Sequence, residues 1–224
     1  MTSRPNRVNP LVVKPMDTIL NEYLAAGFIQ HSTSRYAGPV AIIPKKSGGI
    51  RLTINSKKLN DISILGQLSI PRVNDFLDKL GRGRIFSLFD LVSSFHQMTV
   101  HKDTIPLTSF CTPTRPFEWL VMSQGRSAAG WFVKVINEVI KGLVDVTAYL
   151  NDIIVFDPDP SAHVLLIKEL FKQLRKHNFK LSPSKAKIGA TDADSLGHII
   201  SPAGIWPNAS KFAARTRMSM LLDL

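Results

Sequence analysis

The sequence predicts a mixed α+β fold, because its hydrophobic pattern changes several times between helical and strand-like periodicity. Stretches with apolar residues at i, i+3, i+4 and i+7 are typical of amphipathic helices. Short apolar runs that flank Gly, Asn or Asp are typical of hairpins. The 224 residues are 44% hydrophobic, which suffices for a substantial core in one domain or two closely joined subdomains.

The N-terminal part is predicted to form a helix followed by a hairpin. Asp17 can cap the helix, and Gly27 can end it. The apolar side of this helix comprises Ile19, Leu20, Tyr23 and Leu24. Two strands, 40–44 and 50–54, are predicted to pair through the turn Ser47-Gly48-Gly49.

Two helices with a strand between them are predicted next. The first begins at Pro71 and ends by Gly81, and its apolar positions are Val73, Phe76, Leu77 and Leu80. It leads into the strand 85–90, which ends on Asp90. The second helix spans 129–143, and its apolar positions are Phe132, Val135, Ile136, Val139 and Ile140.

A hairpin with an acidic tip and a final long helix complete the predicted elements. The apolar runs 144–148 and 153–156 flank Tyr149-Leu150-Asn151-Asp152, which predicts a tight turn. After Pro158 and Pro160, Ser161 can cap a helix. Its inward side is predicted to carry Leu166, Ile167, Leu170, Phe171 and Leu174, and its outward side Lys168, Lys172, Arg175 and Lys176.

Two carboxylates that are remote in sequence can converge at strand ends, one from Asp90 and one from Asp152. Carboxylate oxygens are the ligands that Mg²⁺ prefers, and a two-cation site needs enough negative charge to hold both ions. Between the two, Asn151 offers an amide oxygen that can coordinate a metal but carries no net charge. Taken alone, an Asn-Asp dipeptide usually marks only a favourable turn.

The composition favours a polyanionic partner. Lys and Arg outnumber Asp and Glu by 28 to 17, a formal charge of +11, which attracts nucleic acid in a salt-dependent way. A basic solvated surface without such a partner is the alternative. Cys111 is the only cysteine, which excludes an intrachain disulfide and a Cys-rich zinc cluster.

Targeting signals are not evident in the sequence. Residues 1–10 are polar and Pro-rich without a signal-peptide core, and no apolar run approaches the roughly 18 residues that span a bilayer. We therefore expect an intracellular protein, cytoplasmic or nuclear, with no membrane partner.

A series of motifs runs in a fixed order through about residues 14–212. The motifs are Ala26-Gly27-Phe28-Ile29, Ser34 with Pro39-Val40, Lys45-Lys46 to Arg51, Leu59-Asn60, Pro71-Arg72, Phe86-Ser87 to Asp90-Leu91, His96-Gln97, Leu120-Val121-Met122, Tyr149 to Phe156, and Leu196-Gly197-His198-Ile199-Ile200-Ser201. In these motifs the chain resembles the reverse transcriptase of gypsy-type retrotransposons with long terminal repeats, which is part of a Pol polyprotein. The hairpin of that family reads Tyr-Leu-Asp-Asp.

The resemblance implies a right-hand polymerase fold with fingers and a palm, an antiparallel palm sheet backed by helices, and no thumb. It implies an N-terminal extension at 1–13, fingers at 14–70 and 98–128, a palm at 71–97 and 129–206, and a truncated or divergent tail at 207–224.

The implied activity is template-directed DNA synthesis with Mg²⁺ or Mn²⁺, in a retrotransposon particle. The implied partners are an RNA or DNA template with its primer, a dNTP and other segments of the Pol polyprotein. The implied catalytic positions are Asp90, Asn151 and Asp152. The metal would be held by Asp90, Asp152 and the backbone carbonyl of Leu91.

The resemblance also implies residues that contact nucleotide and primer. The nucleotide-binding positions are Lys45, Lys46, Arg51, Phe95, Gln124 and Gly125, and the primer-binding positions are Tyr149, Leu196, Gly197 and His198. Phe95 stands where the family rejects a 2′-hydroxyl by steric contact. The alternatives are a solvated basic hairpin tip for Lys45, Lys46 and Arg51, and a core side chain for Phe95.

Several positions depart from the family pattern. Asn151 replaces the first carboxylate of the hairpin pair, so we expect weakened metal binding and an inactive or severely impaired polymerase. One residue is missing before Phe132, where Ala128-Ala129-Gly130 replaces Asn-Ala-Pro, and a deletion there turns a helix face by about 100°. Two other interpretations remain open: a non-catalytic basic module that binds nucleic acid or a protein, and a decaying copy without a selected role.

Overall fold

The computed structural model describes residues 7–44, 49–62, 72–123 and 129–208. The chain divides into two compact units, each built from two stretches of sequence. The first unit comprises Met1–Leu68 and Ser93–Phe132, and the second comprises Ser69–Val92 and Val133–Leu224. In the described residues, no helix is both long and apolar enough to cross a membrane.

The chain contains both helices and strands, as the changing periodicity predicted. The α-helices are α1 Pro10–Ala25, α2 Lys57–Ile62, α3 Val73–Leu80, α4 Ala129–Val139 and α5 Pro160–Lys176. The strands are β1 Ile29–His31, β2 Gly38–Pro44, β3 Ile50–Ile54, β4 Ile85–Asp90, β5 Phe110–Cys111, β6 Pro116–Trp119, β7 Val146–Tyr149, β8 Asp152–Asp157, β9 Lys187–Ala190, β10 Ala193–Ser195, β11 His198–Ser201 and β12 Gly204–Pro207. Short 3₁₀ turns occupy Ser94–Gln97, Lys102–Thr108 and Pro183–Lys185.

The first unit is a five-stranded sheet in the order β1-β6-β5-β2-β3, with α1 packed against it. Only the β2–β5 pair is parallel among these strands. Its core consists of Met16, Leu20, Ile29, Val40, Ile50, Leu52, Ile54, Phe110, Phe117, Trp119 and Val121. The predicted hairpin of β2 and β3 is confirmed, although part of its turn, residues 45–48, lies outside the described residues.

The first helix begins earlier than predicted. Its N-cap is Asn9, whose side chain accepts a hydrogen bond from the Leu11 amide, and not Asp17. Pro10 occupies the first helical position, where its missing N–H costs nothing. The helix also accommodates Pro15 in its interior, because packing of an apolar side stabilises a helix more than local propensity does. The predicted stop at Gly27 is confirmed by its positive φ of 68°.

The second unit contains the four-stranded antiparallel sheet β7-β8-β4-β9 with helices on both faces. Phe86 joins the core cluster of α3, whereas Ser87 lies 2.8 Å from His163 of α5. Because successive strand residues point to opposite faces, α3 and α5 cover opposite sides of β4. The predicted bounds of β4 are confirmed. A separate sheet of β10, β11 and β12 adds Ala193 and Ile200 to the α3 cluster.

The helices α4 and α5 differ from the prediction at their ends. The N-cap of α5 is Asp159, whose carboxylate accepts a hydrogen bond from the Ala162 amide at 2.8 Å, and not Ser161. Helix α4 ends at Val139, four residues earlier than predicted, before a turn in which Gly142 has a φ of 84°. The residues predicted to face outward on α5 are exposed: Lys168, Lys172, Arg175 and Lys176.

The inward positions of both helices are partly corrected. In α4, Val133 is buried and Val135 is only half-buried. In α5, His163 is buried with Ile167, Leu170 and Leu174, while Phe171 remains 38% exposed although its ring contacts Phe89. A helical face chosen by apolar residues alone therefore misses a buried histidine. The helix α2 had no predicted counterpart.

The cap of α5 provides a stability test. Asp159→Ala removes the side-chain acceptor of the Ala162 amide, so we expect a loss of about 1 kcal/mol in the free energy of unfolding. Ser161→Ala is the matched control and should change it by less than about 0.5 kcal/mol, because Ser161 is exposed. Urea denaturation followed by circular dichroism measures both. A larger loss for Ser161→Ala would contradict this cap assignment.

Stability should also fall in mild acid. Burial lowers the pKa of His163, against the opposing charge of Asp157, and burial likewise lowers the pKa of His96 in the first unit. The unfolded chain then binds these protons more tightly, so the contribution is complete above the unfolded-state pKa of about 6.5 and is lost as the pH falls below it.

Each such histidine can contribute a slope of at most about 1.4 kcal/mol per pH unit. Unfolding measured between pH 7.5 and 5.5 should show a shallower acid decline in His163→Gln than in the wild type. Identical pH profiles for the two proteins would contradict the assignment of this decline to His163.

Candidate functional site

The pairing of β4 with β8 places the two predicted acids next to each other. Asp90 lies directly opposite Asp152 in this antiparallel pair, just beyond the pair of Leu88 and Ile154 on the same face. Residues directly opposite in an antiparallel pair have Cβ atoms about 4.5–5.5 Å apart and point to the same side. The predicted convergence of Asp90 and Asp152 is therefore confirmed.

The turn between β7 and β8 is a two-residue turn formed by Leu150 and Asn151, because Tyr149 pairs with Asp152. The predicted hairpin is thus confirmed. Leu150 has a φ of 53°, in the left-handed region that residues with a β-carbon rarely adopt. The Asn151 carbonyl accepts a hydrogen bond from the Leu91 amide at 2.9 Å, which joins the turn to the end of β4.

The Asn151 side chain lies between the two carboxylates. Its amide nitrogen donates to Asp90 Oδ2 at 3.1 Å and to Asp152 Oδ1 at 3.3 Å. The opposite amide orientation would turn an oxygen toward two negatively charged oxygens, which would repel it. The carboxylates themselves therefore hold the amide with its nitrogen inward.

The ammonium group of Lys185 completes this cluster, and the sequence analysis did not identify it. Its Nζ atom lies 3.0 Å from Asp90 Oδ1. Asp90 is 19% exposed and Lys185 is 65% exposed, so the pair lies at the surface edge of the sheet. Lys185 is 95 residues from Asp90 in sequence, and no local pattern connects the two. The contact becomes visible only in the folded chain, where the 3₁₀ turn Pro183–Lys185 lies beside the end of β4.

The residues at this edge do not fit the two divalent cations that the resemblance implies. Throughout the described residues, no group of three or more His, Cys, Asp or Glu side chains could hold a metal ion. Both oxygens of Asp90 already face hydrogen-bond donors, one from Asn151 and one from Lys185. Leu91 is buried beside them, and its predicted role through the backbone carbonyl stays a prediction.

The predicted primer-binding residues lie in the second unit. The ring of Tyr149 packs edge-on against Phe76 with ring centres 5.5 Å apart. Leu196 and Gly197 form the turn between β10 and β11 with φ values of 52° and 83°. This backbone conformation favours glycine at position 197. His198 Nδ1 lies 3.2 Å from the Leu196 carbonyl oxygen. Contact with a primer stays a prediction for these residues.

The predicted nucleotide-binding residues belong to the first unit. Arg51 is exposed on β3, opposite Ile43 of β2. Phe95 is half-buried in a 3₁₀ turn, and its ring centre lies 5.3 Å from that of Phe132. The other positions, Lys45, Lys46, Gln124 and Gly125, lie outside the described residues. The nucleotide-binding roles stay predictions.

Comparison with known proteins identifies one family over most of the chain. The family described as reverse transcriptase (RNA-dependent DNA polymerase) matches residues 43–200. The retrovirus-related Pol polyprotein from transposon 297 of Drosophila melanogaster is 35% identical over 203 residues, which cover 87% of this chain and 19% of that polyprotein. The transposon Tf2-3 polyprotein of Schizosaccharomyces pombe is 29% identical over 201 residues, covering 88% of this chain and 15% of the polyprotein. The chain thus spans about a fifth or less of these relatives.

Solved structures show the same fold. A foamy viral protease-reverse transcriptase in complex with double-stranded DNA matches with a TM-score of 0.88 and 20% identity, over 93% of this chain and 37% of that one. The foamy viral enzyme in complex with an RNA/DNA hybrid also matches with a TM-score of 0.88 and 20% identity, over 93% of this chain and 28% of that one. The predicted α+β fold with polymerase fingers and palm is confirmed.

Proposed function

Because the chain belongs to the reverse transcriptase family of retrotransposon Pol polyproteins, we propose that it is a fingers-and-palm segment that has lost nucleotidyl transfer. In this proposal the first unit serves as fingers and the second as palm, and the rest of a polyprotein would supply further segments. The partners would be a template with its primer and a dNTP, in an intracellular retrotransposon particle.

The main support for the proposed loss of activity is the position of the Asn151 amide. It stands at the turn next to Asp152 and donates to both Asp152 and Asp90. A carboxylate at this position would add a third negative charge to the cluster. The amide adds none and directs hydrogen atoms at the oxygens that a cation needs.

The expected kinetic cost follows from this missing charge. Phosphoryl transfer by this family depends on positioning and on stabilising charge in the transition state. If the amide removes about 4–6 kcal/mol of that stabilisation, the rate falls by about three to four decades. Such a loss places DNA synthesis below ordinary detection.

A primer-extension assay tests the proposal. We expect the unmodified chain to extend a DNA primer on an RNA template at no detectable rate with either Mg²⁺ or Mn²⁺. A reverse transcriptase with an intact acidic hairpin serves as the positive control on the same substrate. Asn151→Asp should recover little, because the sequence also departs from the family pattern before Phe132. Robust synthesis by the unmodified chain would refute the proposed loss.

The basic surface favours a second candidate function, which is binding of nucleic acid without catalysis. The formal charge of the chain is +11, and α5 presents Lys168, Lys172, Arg175 and Lys176 to solvent. Lys172 is paired with Glu169 at 3.0 Å, so the other three are the better candidates for phosphate contacts. Such contacts release counterions from the nucleic acid and depend steeply on salt.

Fluorescence anisotropy with a labelled RNA/DNA hybrid tests this second function. We expect binding that weakens steeply between 50 and 200 mM salt, on the order of a decade or more, and that EDTA leaves unchanged. Replacing Lys168, Arg175 and Lys176 with Gln should reduce the slope of log affinity against log salt by about 2 to 3. Lys141→Gln is the control for an exposed lysine of the same unit. Equal slopes for the triple variant and this control would rule out α5 as the binding face.

A further inference from the structure

The charge of the Asp90 and Asp152 carboxylates is partly compensated by other residues of the chain. Lys185 Nζ lies 3.0 Å from one oxygen of Asp90, and Asn151 Nδ2 lies 3.1 Å from the other. The same nitrogen lies 3.3 Å from Asp152 Oδ1. Two negative charges thus face one positive charge and an amide donor, so the cluster carries a net charge of only −1.

The backbone, and not only a flexible side chain, brings Lys185 to this place. The Ser182 amide donates to the Asp90 carbonyl at 2.8 Å, and the Val92 amide donates to the Lys180 carbonyl at 3.0 Å. Leu181 forms an isolated β-bridge with Leu91. These bonds attach the segment before Lys185 to the end of β4. The backbone that leads to Lys185 is therefore held beside the carboxylates.

A divalent cation would have to replace both internal donors. It would displace the Lys185 ammonium from Asp90, and it would require the Asn151 amide to turn so that its oxygen faced the ion. Turning the amide breaks its two hydrogen bonds to the carboxylates. The ion pair alone is a weak barrier, since exposed pairs contribute little. Lys185 and Asn151 nevertheless act together, because each holds one of the two oxygens of Asp90.

We infer that the Lys185 ammonium group, as a counter-ion, and the Asn151 amide, as a neutral donor, together keep this edge of the sheet free of a divalent cation. This inference depends on the proposed function in one respect, the identification of this edge of the sheet as the cation site of the family. The Lys185 ammonium group takes the place next to Asp90 that a metal ion would otherwise occupy.

Titration with Mn²⁺ alone tests the inference, with free Mn²⁺ measured by electron paramagnetic resonance on the full chain. For the wild type we expect no saturation below about 1 mM. Lys185→Met should bind Mn²⁺ about two- to fivefold more tightly, matching the strength of an exposed ion pair. Asn151→Asp should bind it at least about tenfold more tightly, because it adds a charge beside the ion. The double variant should bind most tightly of the four.

Lys187→Met is the matched control, since Lys187 is an exposed lysine two positions away on β9. Equal effects of Lys185→Met and Lys187→Met would overturn the inference, as would wild-type binding as tight as that of the double variant. Lys185→Met introduces no new acid, so it tests the lysine even if Asn151→Asp does not fold. Because the titration contains no nucleic acid or nucleotide, its result is independent of the primer-extension assay.

Discussion

The antiparallel register between β4 and β8 is the constraint on which the candidate site depends. It sets Asp90 opposite Asp152 although 61 residues separate Asp90 from the neighbouring Asn151. A shift of one residue would turn one of the acids to the other face of the sheet. The register is held by burial on both faces, because α3 covers one side of β4 and α5 covers the other. The core of the second unit therefore positions the polar cluster at its edge.

The composition of this cluster relieves the repulsion between its two carboxylates. Two carboxylates facing each other across a strand pair would repel, and in a metal-dependent site the ions relieve that repulsion. Here an amide and an ammonium group relieve it instead. The consequence is a site that is electrostatically satisfied by its own residues.

Local sequence patterns predicted β4 and the hairpin of β7 and β8 well. The run of β4 and the turn after Tyr149 are short, apolar and bounded by polar turn residues, so their limits are visible in the sequence. Helix ends were less predictable. Several residues near each start can act as N-cap, and only the hydrogen bonds of Asn9 and Asp159 show which one does.

The acids of the candidate site and Asn151 were predictable, whereas Lys185 was not. Asp90 and Asp152 were found next to apolar runs and Asn151 in the turn between two such runs, and the family resemblance named all three. Lys185 was missed because it lies 95 residues from Asp90 in sequence, and its place depends on the attachment of residues 180–182 to the end of β4. The direction of the Asn151 amide was equally hidden, since it depends on both carboxylates being present on one face.

The most direct test is a crystal structure of the unmodified chain grown with Mn²⁺ and measured for anomalous scattering. We predict no anomalous peak between Asp90 and Asp152, with the Lys185 ammonium still within hydrogen-bond distance of Asp90. An anomalous peak bridged by the two carboxylates, with Lys185 displaced, would contradict this prediction.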